Sequence, residues 1–238
     1  MDITNRIIVA LLERMKSRNK NFSLSKPKFH RLFQINPDGY LWYGEKLERH
    51  LLNKYKIMHI IKRNGCFLSG LQFESLSSQR YRVCFHLYNL MVDLDIPTIP
   101  LISATYLLNK KGAINSFSMQ EHDNDLESIV NELYNQVPIL TKQQLTSNDL
   151  IAYMKGTKNA FYDKTTLTDI VLLNYYCGND EQAEIEIEKG KKIILDWPER
   201  VTIDYGSAKG WEKQVRELMN MDILNDTMER QLQKLKLH

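Results

Sequence analysis

The chain has 238 residues, 43% apolar and 26% charged, a balance ordinary for a globular protein and unlike that of a disordered chain. No run approaches the ~18 uncharged apolar residues of a membrane span, and Met1 to Arg6 lacks a basic region leading into an apolar core, so a cytoplasmic protein is expected. The net charge of +3 hides an asymmetry: residues 1–115 carry 18 Lys and Arg against 8 Asp and Glu, and the remainder carries 14 against 21. Such a split points either to a charged partner or simply to which faces are solvated.

Asp2 to Arg18 places Ile3, Ile7, Ile8, Leu11, Leu12 and Met15 at helical spacing, with Glu13, Arg14 and Lys16 opposite, which predicts an amphipathic helix lying on a sheet. Asn19 to Lys28 is polar and reads as a loop. Phe29 to Ile35 and Tyr40 to Tyr43 flank Asn36-Pro37-Asp38-Gly39, whose turn chemistry predicts a small hairpin. Tyr40, Trp42 and Tyr43 either cover the core or form an exposed patch. Glu45 to Asn53 has the leucine spacing of a short helix.

Four consecutive strands follow, at Lys56 to Lys62, Cys66 to Glu74, Arg80 to Val92 and Ile99 to Leu108. Asn64-Gly65 between the first two is the pair that a type I′ hairpin favours. In the third, Tyr81, Val83, Phe85, Leu87 and Met91 form one face and Arg82, Cys84, His86 and Tyr88 a wetter one. Cys66, Cys84 and Cys177, odd in number and set in apolar surroundings, read as buried free thiols.

Beyond Lys110-Lys111-Gly112 the pattern turns helical. His122 to Val137 opens with acids that suit a helix's positive end, and Leu145 to Lys155 reads as a helix capped by Ser147 or Asn148. Thr165 to Cys177 and Glu181 to Leu195, broken by Gly178-Asn179-Asp180, form a repeat-like pair that must pack on neighbours. Lys209 to Leu218 and Leu224 to Leu237 close the chain. The expected fold is α+β: an antiparallel meander of about four strands with the N-terminal helix on one face, then an all-helical half. A sheet domain is expected over 1–115 and a helical domain over 116–238.

The chain carries none of the common phosphate-loop, dinucleotide, nucleophile-elbow or zinc-protease motifs. Cys84 and His86 share a strand face, but that spacing is what any alternating strand gives. They read as a packed Cys and a partly exposed His. His30, His50, His59, His122 and His238 have no metal-ligand spacing. Glu181, Glu184, Glu186 and Glu188 read as a solvated helix face rather than a metal cluster, given Lys189, Lys191 and Lys192 beside them. No enzyme activity, cofactor or metal is expected.

Arg63-Asn64-Gly65, Gly70 to Glu74, Tyr81 to Leu90, the pair around Tyr175 to Asp180 and the closing helix near Leu237 give a pattern that resembles a loose group of uncharacterised bacterial proteins related to polymorphic-toxin and contact-dependent-inhibition immunity proteins. What the resemblance implies is a protein that binds a cognate toxin and blocks its active site. If that toxin is a nuclease, its basic groove calls for carboxylates. Two clusters in the acidic half supply them: Glu121, Asp123, Asp125 and Glu127, then Asp180, Glu181, Glu184 and Glu188. The alternative is a nucleic-acid-binding or regulatory protein using the basic half, where Arg14, Lys16, Arg18, Lys20, Lys26 and Lys28 lie near Tyr40 and Trp42.

Overall fold

A computed structural model describes residues 14, 32–33, 41–46, 56–75, 80–93, 102–118, 123–142, 145–156, 164–198 and 206–234. The fold is α+β. The strands are β1 (Leu32–Phe33), β2 (Leu41–Lys46), β3 (Lys56–Asn64), β4 (Phe67–Ser75), β5 (Arg80–Asn89), β6 (Ile102–Tyr106) and β7 (Phe117–Ser118). The helices are α1 (Asp123–Gln136), α2 (Ser147–Gly156), α3 (Lys164–Tyr176), α4 (Asp180–Leu195), α5 (Ala208–Leu218) and α6 (Met221–Lys234), with a 3-10 turn at Pro138–Thr141. The sheet runs β1-β2-β3-β4-β5-β6 in sequence order, so the expected four strands are β3 to β6, and β7 pairs with the start of β5.

The chain divides into two compact units, Met1–Leu87 with Ala104–Gln144, and Tyr88–Ser103 with Leu145–His238. The division interleaves along the chain, and α1 groups with the sheet unit. The second half is not wholly helical. Its two-residue strand β7 is too short to show a period and is held by Arg80, whose guanidinium donates to the Ser116 hydroxyl and carbonyl.

β1 and β2 form the small antiparallel hairpin, with Leu32 opposite Tyr43 and Phe33 opposite Trp42. Glu45 and Lys46, expected to open a helix, extend β2 along β3. The rest of that helix, the N-terminal helix apart from Arg14, and the side chains of Tyr40, Trp42 and Tyr43 lie outside the described residues.

The β3–β4 hairpin forms one residue later than the Asn-Gly rule places it. Asn64 pairs with Phe67, so the two loop residues are Gly65 and Cys66. Gly65 takes φ of 59°, and glycine at the first central position is what a type II′ turn asks for. Asn64 instead donates its side-chain amide to the Ser69 hydroxyl, outside the turn.

β4 and β5 depart furthest from a sheet with one wet face. Phe67, Leu68, Ser69, Leu71 and Gln72 are all buried, as is every residue from Val83 to Asn89. Both faces of the central strands are covered, so His86 is fully buried rather than partly exposed. Burial holds its imidazole down at about 4, against an ordinary 6.5. The unfolded chain takes up this proton below about 6.5, which the folded chain refuses until about 4. Stability is thus complete above the first value and lost as pH falls toward the second. Between pH 7 and pH 5, above the carboxylate range, the loss is on the order of 2 kcal/mol. Urea midpoints at those two pH values should differ in the wild type and nearly coincide in His86→Leu; equal midpoints in the wild type would contradict the burial.

In the sheet unit, α1 buries Ile129, Val130 and Leu133, and Val137 beyond its end. Its last residue, Gln136, uses its carboxamide twice on Leu108, accepting from the backbone N–H and donating to the carbonyl, both at 2.8 Å. In the helical unit, α3 ends in a Schellman motif: Gly178 at φ 75° donates to the Tyr175 carbonyl and Asn179 to the Asn174 carbonyl, each at 2.9 Å. That turn sends α4 back along α3. α5 closes the pair, laying Trp211 and Val215 into a core with Leu167, Val171, Ala183, Ile187 and Ile194. This supplies the neighbour that the repeat-like pair lacked. The remaining caps are Thr146 on α2, in a reciprocal box with Asp149 rather than Ser147 or Asn148, Ser207 on α5 and Asn220 on α6.

Candidate functional site

The side chains of five of the eight acids in the two clusters are described. Glu121 lies outside the described residues, and Asp123 and Asp125 open α1 with side chains that are not described. Glu127 sits 3.8 Å from the Arg14 guanidinium. On α4, Glu184 and Glu188 are the two ends of an ion network that crosses to α5. Arg216 grips both Glu184 oxygens at 2.8 Å and also reaches Glu212 at 3.1 Å, while Lys191 bridges Glu212 at 3.0 Å and Glu188 at 2.9 Å. Arg216 holds the Glu184 carboxyl below its usual range. These two acids are spoken for by the fold.

Asp180 and Glu181 are different. They are exposed, they open α4, and they line a cleft of about 910 Å³ with Asn148, Ile151 and Lys155 of α2, Asn174 of α3, and Ile185 and Glu186 of α4. The floor of this cleft is a residue that local spacing assigns to a solvated face. Glu186 is only 7% exposed. Its Oε1 accepts from Lys155 Nζ at 2.8 Å, Gln182 Nε2 at 2.9 Å and Lys189 Nζ at 3.1 Å. Burial pushes the carboxyl up, but the two lysine ammonium groups outweigh it and hold it below the usual range. Among the described residues no donor reaches Oε2, which is not sealed from solvent.

No family model matches the chain, and no curated protein or solved structure matches it either. The cleft therefore has to be read from its own chemistry. Its charged lining is three carboxylates and one ammonium, and the Lys189 ammonium on Glu186 adds a second positive charge. The α4 N-terminus offsets about half a charge, which leaves the cleft net negative in a chain that is net positive. It is a concave, cation-seeking surface with two isoleucine walls.

Cys84 and His86 are both buried within the sheet, and among the described residues no group of His, Cys, Asp and Glu could hold a metal. Cys66 is buried as expected, whereas Cys177, expected buried, is exposed at the end of α3 because the Schellman turn carries it away from the core. A second polar group lies inside the helical unit. Tyr88 donates to Gln231 Oε1 and Asn89 Nδ2 to Asp169 Oδ1, both at 2.7 Å. Burial first, then the Asp93 and Asp169 carboxylates, push the Tyr88 phenol far above its ordinary range. It stays a neutral hydrogen-bond donor and ties Tyr88 to α6 within that unit.

The signal that marks the cleft in the sequence is thin. Glu186 is one glutamate in a run of four, and its partner Lys155 is 31 residues away. Among the described residues no helix is long and apolar enough to cross a membrane.

Proposed function

We propose that this chain is a cytoplasmic immunity protein, which binds a cognate bacterial toxin and holds it inactive by covering its active site. The observation that carries the reading is the net-negative cleft between α2 and the α3–α4 turn, with Asp180 and Glu181 exposed on its rim. Such a surface complements the basic groove of a toxin that cuts nucleic acid, and it steers encounter at long range. The resemblance to immunity proteins points the same way. The test pairs the chain with the toxin encoded beside it. Co-expression should restore growth, and Asp180→Lys with Glu181→Lys should slow association about tenfold and flatten its salt dependence while leaving the melting temperature unchanged. Growth that is not restored, with no complex formed, would overturn the reading.

A nucleic-acid-binding role has one observation in its favour. Arg80 and Arg82 alternate along β5, Arg82 stacks over Tyr106 at 4.8 Å, and Lys110 and Lys111 are exposed in the same unit. Submicromolar binding of labelled RNA or DNA with a steep salt slope would put this role in place of the first.

A further inference from the structure

The strongest feature of the cleft is that its two most deeply buried polar side chains are each half used. Asn174 is 4% exposed and spends its Nδ2 on the Ile170 carbonyl at 2.8 Å. Among the described residues nothing donates to its Oδ1, and that atom is not sealed from solvent. Glu186 likewise saturates Oε1 with three donors and leaves Oε2 open. Both residues line the same cleft. Water reaches both oxygens, so a ligand that brings several donors and positive charge would replace solvent on two acceptors of one cleft.

We propose that the cleft takes a guanidinium group, the arginine side chain of the protein partner, on the open oxygens of Glu186 and Asn174. A guanidinium offers five donors in a planar fork and gives up its hydration more readily than an ammonium, so it suits a cleft lined by a carboxylate and a carboxamide. Ile151 and Ile185 form walls that take the methylene stem, in the way arginine stems ordinarily cover apolar surface. Lys155 and Lys189 repel an incoming cation, but both ammonium groups are already bonded to Oε1, and the rim carboxylates of Asp180 and Glu181 offset them. This inference rests on reading the cleft as the partner-binding surface, and it names the chemistry that enters.

The full chain is titrated with N-acetyl-arginine amide at low salt, following side-chain amide signals of Asn148, Asn174 and Asn179 by NMR. Saturable binding in roughly the millimolar range is expected for so small a ligand. N-acetyl-citrulline amide, the neutral isostere, should bind at least about tenfold more weakly. Glu186→Gln should weaken arginine binding by at least about tenfold. Should that variant lower the melting temperature by freeing Lys155 and Lys189, Ile185→Lys decides the matter. Position 185 is 41% exposed, and the new ammonium enters the cleft and should abolish binding. No signal change at about 20 mM ligand, where a millimolar site is filled, overturns the proposal. So does citrulline binding equal to that of arginine, a lysine amide that binds as tightly, or binding that survives Ile185→Lys. Growth protection without arginine binding sinks this proposal alone, and arginine binding without protection sinks the immunity reading alone.

Discussion

Gly190→Ala is expected to cost about 3 kcal/mol, beyond the roughly 1 kcal/mol that alanine gains in helix propensity. A methyl group there would lie 2.3 Å from Cη2 and 2.7 Å from Cζ3 of Trp211. The indole cannot slide aside freely. It is buried, and its Nε1 donates at 3.0 Å to the Thr168 hydroxyl, which itself donates at 2.9 Å to the Lys164 carbonyl. Space at Gly190 therefore sets how closely α4 and α5 approach, with α3 as the anchor. Urea unfolding checks it, and Trp211→Phe added to Gly190→Ala should recover part of the loss because the smaller ring vacates the clash. A cost below about 1 kcal/mol would mean that the two helices part without penalty.

Phe85→Ala is expected to cost about 3 to 5 kcal/mol, the usual range for deleting a buried aromatic side chain. Phe85 is among the largest fully buried side chains and sits mid-way along β5, inside a strand covered on both faces. The cavity left behind cannot be filled by a turn of side chains from solvent. Chemical denaturation giving a change below about 1 kcal/mol would show that the sheet collapses around the gap at little cost.

What could be read ahead follows from how local the cause is. The α3–α4 pair falls within a residue of its expected bounds because Gly178 and Asn179 close the helix by their own backbone chemistry. The β3–β4 hairpin is foreseen but its register is shifted by one, because Asn64 has another use for its amide in Ser69. Burial of both faces of β5 is invisible locally. Arg82, Cys84, His86 and Tyr88 look like a wet face by type, and what seals the last three is tertiary cover. The acids of α4 show the same limit. Spacing puts Glu184 and Glu188 together correctly, but only the arrival of Arg216 and Glu212 from α5 shows that they belong to a network. Glu186, dismissed as one of a solvated run, needs Lys155 from a different helix to become the floor of a cleft.

The unequal placement of the three cysteines makes the chain its own reporter of opening. Cys177 is exposed, while Cys66 in the β3–β4 turn and Cys84 in β5 are buried in the other unit. A thiol reagent should therefore label one sulfur at once and the other two only when the sheet transiently opens. The slow phases then read the opening equilibrium of that unit in native buffer, with no engineered probe, and the fast one leaves a tag beside Gly178 on the edge of the cleft.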